Sequence, residues 1–230
     1  MNTAIILAGG SGSRMKSEIP KQYMKIGDRM VIYYSIKAFQ DNEYIDNIIL
    51  VTSKEYIEYA RNNFMTNELS KVTDIVEGGK ERYDSVYSAL KKVNSDGKVL
   101  IHDGARPCIT TEVINRCLEG LNKYDACIAA VPVKDTIKIA DEQQCVKITP
   151  DRNTLWQIQT PQAFRNTVVN EAYRKLYESG DFTHVTDDAM VVERYTNKKI
   201  KLIMGDYRNI KITTPEDMEI AGRFISDINE

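Results

Sequence analysis

Short apolar runs alternate along this chain with longer segments of helical period, and that alternation restricts the fold more than any other feature. The runs predict strands over residues 4–8, 47–52, 73–76, 99–102, 127–133 and 200–204. The periodic segments predict helices over residues 31–39, 54–63, 82–93, 112–124, 168–177, 187–195 and 216–228. Strands that are apolar throughout are covered on both faces, so the expected fold is α/β, a doubly wound and mostly parallel sheet in one domain over residues 1–230. Such sheets bind ligands beyond the carboxyl ends of their strands, which places the functional residues in the loops after Ala8, Val76, His102 and Met204.

One stretch breaks the pattern. Residues 133–159 carry Lys134, Asp135, Thr136 and Lys138, a polar tip over 141–144, then Val146, Ile148 and Thr149, which reads as a projecting hairpin. A two-stranded arm is marginal alone, so it is expected to pack on a partner subunit. Thr214, Pro215 and Asp217 predict the start of the last helix, and Thr186 with two following carboxylates predicts the start of the one before it.

Composition excludes several classes. The 31 basic and 33 acidic residues are interleaved and leave a net charge of −2, against the one-sided basic excess of a nucleic-acid binder. The four cysteines include no C-x-x-C pair and the two histidines lie far apart, so neither a zinc site nor a disulfide framework is suggested. Scattered thiols suit a reducing compartment. The first residues lack the charged and apolar regions of a signal peptide, and no run approaches the roughly 20 apolar residues that span a bilayer. The expected location is the cytosol, without nucleic-acid or membrane partners.

The strongest chemical signal follows the first run, where Leu7-Ala8 leads into Gly9-Gly10-Ser11-Gly12-Ser13-Arg14-Met15 and then Pro20-Lys21-Gln22. Glycines let backbone N–H groups close on an anion, and clustered donors of this kind cradle phosphate. Arg14 and Lys21 add positive charge. No Gly-Lys-Ser/Thr follows, so this is not a P-loop, and Met15 stands where a dinucleotide fingerprint needs its third glycine.

Taken together, these residues resemble the signature of sugar nucleotidyltransferases, and more narrowly the methylerythritol phosphate cytidylyltransferases and the related ribitol phosphate cytidylyltransferases. The resemblance implies that the loop wraps the phosphates of CTP while Arg14 and Lys21 stabilise the pentavalent phosphorus, chemistry served by positioning and by countering charge on equatorial oxygens.

Four further segments match in order. Gly78-Gly79-Lys80-Glu81-Arg82-Tyr83-Asp84-Ser85 resembles the loop that reads cytosine and ribose, which points to Gly79, Asp84 and Ser85; read alone, it favours a plain loop with the cap of the next helix. His102-Asp103-Gly104-Ala105-Arg106 implies that Asp103 and Gly104 face the nucleotide, that Asp103 binds Mg²⁺ and orients the acceptor, and that Arg106 holds the acceptor; the plain alternative is an Asp–Arg pair. Thr136 and Arg152, on the arm, and Thr160 after it imply contacts with the acceptor phosphate of a neighbouring subunit in a homodimer, a task suited to arginine's planar fork. Lys211 and Thr186 match residues that position the incoming phosphate, although Thr186 also reads as a helix cap.

Two branches of the family remain. Ala8-Gly9-Gly10 is similar to the ribitol enzymes, whereas Asp151-Arg152-Asn153 with Leu155-Trp156 is similar to the methylerythritol enzymes. Arg208 stands where some members place a carboxylate, so an extra cation is expected near the acceptor. The reaction implied is attack of 2-C-methyl-D-erythritol 4-phosphate on the α-phosphorus of CTP, for isoprenoid precursors. Ribitol 5-phosphate is the alternative acceptor. A non-catalytic nucleotide-binding regulator is the rival from another class, and would have no need of both Arg14 and Lys21.

Overall fold

A computed structural model of the chain describes residues 1–10, 19–93 and 96–229. It begins with β1 (Asn2–Ala8), a short hairpin of β2 (Lys25–Ile26) and β3 (Arg29–Met30), α1 (Val31–Asp41), β4 (Asn47–Thr52), α2 (Ile57–Phe64) and β5 (Val72–Glu77). It continues with α3 (Arg82–Leu90), β6 (Lys98–Asp103), α4 (Thr111–Gly120), β7 (Ala126–Pro132), and a second hairpin of β8 (Ile139–Ala140) and β9 (Val146–Ile148). The last elements are β10 (Trp156–Arg165), α5 (Asn166–Ser179), α6 (Asp188–Tyr195), β11 (Ile200–Met204) and α7 (Pro215–Asn229).

Seven strands form the main sheet in the order β11-β7-β10-β6-β1-β4-β5. β1 pairs in parallel with both β4 and β6, and β4–β5 and β11–β7 are parallel too. Successive residues of a strand face opposite sides, and here each side meets helices. Ile6 packs in a core with Ile32, Ile36 and Phe39 of α1 and Val113 and Ile114 of α4. Its neighbour Ile5 joins Val86 and Leu90 of α3 with Val169, Tyr173 and Leu176 of α5. The chain leaves β1 toward β4 on one side and returns to β6 on the other, so the strand order reverses beside β1 and opens a crevice at the carboxyl ends.

β10 is the element that the apolar pattern misses. It lies antiparallel between β6 and β7, near the middle of the sheet. Its sequence Trp-Gln-Ile-Gln-Thr-Pro-Gln-Ala-Phe-Arg is polar and holds a proline, which a central strand does not normally tolerate. The register against β7 shifts between Ile158 and Gln162, so Pro161 falls in a bulge where no ladder bond is needed. The projecting segment therefore ends sooner than the sequence predicts, because residues 156–159 already belong to β10. Its hairpin leaves Ile139, Val146 and Ile148 exposed.

The start of α6 also moves. Asp187, not Thr186, caps it by accepting from Met190 N at 2.8 Å, and Thr186 stays exposed outside the helix. Asp187's carboxylate suits the positive helix end. The start of α7 agrees with the sequence in substance, since Asp217 accepts from the backbone N–H groups of Thr213 and Thr214 at 2.7 and 2.8 Å.

Candidate active site

The carboxyl ends of β1, β5 and β6 open onto a cavity of about 400 Å³. Leu7, Ala8, Gly9, Gly10, Lys21, Gly79, Ser85, Asp103 and Lys211 line it, so nine of the residues picked from sequence converge on one space. Gln22, Lys80, Glu81, Arg82 and Ala105 complete the wall. Ser11, Gly12 and Arg14 lie outside the described residues.

The turn after β1 is held by a side chain that sequence reading overlooked. Gln22, almost fully buried, donates both amide hydrogens, to Ala8 O at 2.5 Å and Gly10 O at 2.8 Å. Those two carbonyls are thereby turned toward the protein, and the same short helical turn over Lys21–Tyr23 brings Lys21 to the cavity. A glutamine directly after the lysine was the available signal.

The loop after β5 is shaped by α3's capping box, in which Glu81 and Asp84 satisfy each other's backbone N–H groups. Ser85 Oγ accepts from Gly79 N at 3.1 Å and donates to Glu81 O at 3.2 Å. A Cβ on Gly79 would fall 2.1 Å from Asp84 Cβ, so only glycine fits there. Asp84 does not line the cavity; Glu81 N and Tyr177 Oη donate to its carboxylate. The loop is thus a helix cap, and its folding leaves Gly79 and Ser85 on the cavity wall.

At the end of β6, Asp103 gathers three cations. Lys211 Nζ lies 2.7 Å from Oδ2, Arg82 Nε 3.4 Å from Oδ1, and Arg106 Nε 4.0 Å from Oδ2. Burial pushes this carboxyl upward, but Arg82, Lys211 and Arg106 overcome it and hold the group well below the ordinary carboxylate range. The Asp103–Arg106 pair is therefore the loosest of the three contacts. Arg106 instead donates to Asn209 O at 2.8 Å, tying the β6 loop to the loop that carries Lys211, and its Nε makes no hydrogen bond among the described residues.

Thr160 and Gly104 support this corner from beneath. Thr160 Oγ accepts from Asp103 N at 3.1 Å and contacts His102 Nδ1 at 3.0 Å, while His102 Nε2 lies 3.2 Å from Arg106 O. A neutral His102 protonated on Nε2 satisfies all three contacts, with Thr160 donating to Nδ1. Burial drives the imidazole down to about 4, in keeping with that neutral form. Gly104 donates to Leu7 O at 2.9 Å, locking β6 to β1.

Gly104, Arg106 and Thr160 lie behind the cavity wall, as Asp84 does, and three further candidates are exposed away from it. Thr136 and Arg152 are exposed on the projecting segment, where Arg152 donates to Lys134 O at 3.0 Å. Thr186 is exposed before α6. Arg208 does not reach the cavity either, because its guanidinium folds onto Asp206, with Nη2 3.0 Å from Oδ2. The extra cation anticipated near the acceptor is thus held elsewhere, beside α1 and α4.

Among the described residues no group of three or more metal-ligating side chains occurs. Mg²⁺ commonly needs only one or two carboxylates together with substrate phosphates and water. Asp103 fits that limited role, since among the described residues Oδ1 has only the 3.4 Å contact with Arg82.

A family model for 2-C-methyl-D-erythritol 4-phosphate cytidylyltransferase matches residues 2–227. The 2-C-methyl-D-erythritol 4-phosphate cytidylyltransferase of Lachnospira eligens is 62% identical over 98% of this chain and 99% of its own. That of Caldanaerobacter subterraneus is 46% identical over 97% of this chain and 98% of its own. In three dimensions the chain is similar to the 4-diphosphocytidyl-2C-methyl-D-erythritol synthase of Anaerococcus prevotii, with a TM-score of 0.83 and 34% identity over 98% of this chain and 96% of that one.

Proposed function

Because this chain belongs to the 2-C-methyl-D-erythritol 4-phosphate cytidylyltransferase family, we propose that it transfers the cytidylyl group of CTP to 2-C-methyl-D-erythritol 4-phosphate and releases pyrophosphate. An oxygen of the acceptor phosphate forms a bond to the α-phosphorus of CTP as the bond to the β-phosphate oxygen breaks. The acceptor is already anionic, so no base and no covalent enzyme intermediate are required. The observation that carries this reading is the placing of Lys21 and the Gly9-Gly10 turn beside Asp103 and Lys211 in one cavity.

In this reading backbone donors of the turn receive the triphosphate, and Lys21 with Arg14 counters the charge that develops on the α-phosphoryl oxygens. Gly79 and Ser85 receive the base and ribose. Lys211 and Arg106 align the acceptor phosphate, the former held in place by Asp103. Asp103 would also hold a divalent cation together with the nucleotide phosphates, and such a cation supplies neutralisation of their oxygens. Thr136 and Arg152, too distant from their own cavity to line it, serve the cavity of a second subunit across a dimer built on the projecting hairpin. The exposed Ile139, Val146 and Ile148 supply apolar surface for that contact. Four free cysteines, three of them buried, suit a reducing cytosol.

Pyrophosphate release with CTP tests the acceptor. Turnover with 2-C-methyl-D-erythritol 4-phosphate well above that with ribitol 5-phosphate is expected, and the reverse preference would move the chain to polyol polymer synthesis.

A further inference from the structure

Asp188 is a buried carboxylate for which the reaction above has no use. It opens α6, is fully inaccessible, and spends one oxygen on the Tyr173 hydroxyl at 2.6 Å and the other on Arg82 Nη2 at 2.8 Å. Burying a charge is costly unless it is paired and hydrogen-bonded, and here the partner is a side chain on the wall of the active cavity. The neighbouring nitrogen of the same guanidinium, Nε, lies 3.4 Å from Asp103 Oδ1. Arg82 is thus stretched between two carboxylates, held closely by the one that lies outside the cavity and loosely by the one inside it.

That asymmetry has a physical consequence. An arginine fork grips a single carboxylate through two parallel bonds when nothing restrains it. If Arg82 turned fully onto Asp103, it would take both oxygens and displace Lys211 from its 2.7 Å contact. Asp188 prevents this by holding Nη2, the second prong that a two-bond grip on Asp103 would need. We infer that Asp188 is a positioning residue, which acts through Arg82 to keep the Asp103 carboxylate shared with Lys211 and correctly turned toward the reacting groups. The signal lay in the Thr186-Asp187-Asp188 run, where one carboxylate caps the helix and the second is left over for another task.

The inference rests on the cytidylyl-transfer reading, and the test separates the two. Asp188→Asn keeps the shape and removes the charge. Steady-state turnover is measured beside CTP binding by calorimetry, for the wild type, Asp188→Asn, Asp103→Asn and the double variant. Asp188→Asn should lower kcat by about 10- to 100-fold, the size of effect that a small misplacement of reacting groups produces, with CTP affinity changed less than about 3-fold. In the Asp103→Asn background the same change should be nearly silent, because the group through which it acts is gone. An equal loss of kcat in both backgrounds, or no loss at all, would overturn the positioning role. Should Asp188→Asn not fold, Arg82→Lys, which keeps the cation but cannot span two carboxylates, must show the same pattern. Absence of transfer by the wild type would instead sink the reading on which the inference stands.

Discussion

Lys211 Nζ lies 2.7 Å from Asp103 Oδ2 and joins the loop after β11 to the end of β6 across the mouth of the cavity. The contact sets a cation and an anion, drawn from residues 108 positions apart, at the point where the acceptor is proposed to enter. Neither group is tied to the cavity floor by its own strand alone; each holds the other.

Replacing Lys211 by methionine should lower kcat by roughly 10²–10³-fold, the usual cost of removing one charge-stabilising group. It should also alter the acid side of the pH profile. Burial raises the Asp103 carboxyl, and three cations pull it down. With one of them gone it must titrate higher, so the acid limb of kcat/KM should move to higher pH. An unmoved limb would show that Lys211 does not set the state of Asp103.

His102 makes a separate prediction about stability. Its folded value of about 4 lies below the ordinary 6.5, so the folded protein binds fewer protons than the unfolded chain in that interval. Its contribution is complete above pH 6.5 and is lost as the pH falls from 6.5 toward 4. The free energy of unfolding should fall through that window at up to about 1.4 kcal/mol per pH unit. His102→Gln should flatten the slope there; an unchanged slope would mean that the imidazole is protonated in the folded protein.

Gln22 is expected to matter far more than a neighbour of a catalytic lysine ordinarily would. Gln22→Met keeps the volume and strands the buried carbonyl of Ala8, at a cost of about 1–3 kcal/mol, while the exposed Gly10 carbonyl loses its tether to the turn. Urea denaturation should show a loss of that order, along with weaker CTP binding because the turn is no longer fixed. Full stability in this variant would refute the pinning role.

Much of this was legible in the sequence, and the exceptions have physical causes. The runs of the central strands are continuous because both faces are buried, with Ile5, Ile49 and Ile101 in one core and Ile6, Leu50 and Leu100 in the other, and a continuous apolar run is what such burial demands. β10 was not legible, because a proline and three glutamines mask a strand whose bulge needs no hydrogen bond from Pro161. Around the cavity, the glycine turn, Lys21 and Asp103 stood out by residue type at strand ends, and Lys211 through its family resemblance alone. Gln22, Arg82 and Asp188 did not, since they act through partners 12, 21 and 106 residues away in the chain. Thr160 and Asp84 were expected at the acceptor and the nucleotide, and in the structure both use their side chains to hold backbone in place.

The dimer proposal is testable by mixing. Lys21→Ala and Arg152→Ala should each be inactive alone. If Arg152 serves the opposite cavity, half of randomly reassociated dimers carry one intact site, restoring about a quarter of wild-type activity. No recovery after verified subunit exchange would place Arg152's action within its own chain.

The most direct test of the account follows the α-phosphorus itself. One diastereomer of CTP carrying sulfur on that phosphorus is turned over with 2-C-methyl-D-erythritol 4-phosphate, and the configuration of the thio product is read by phosphorus NMR. Direct attack within this cavity predicts a cytidylyl product with inverted configuration. Retention would reveal a covalent enzyme intermediate, and absence of the product in the presence of wild-type turnover with another acceptor would contradict the proposed reaction.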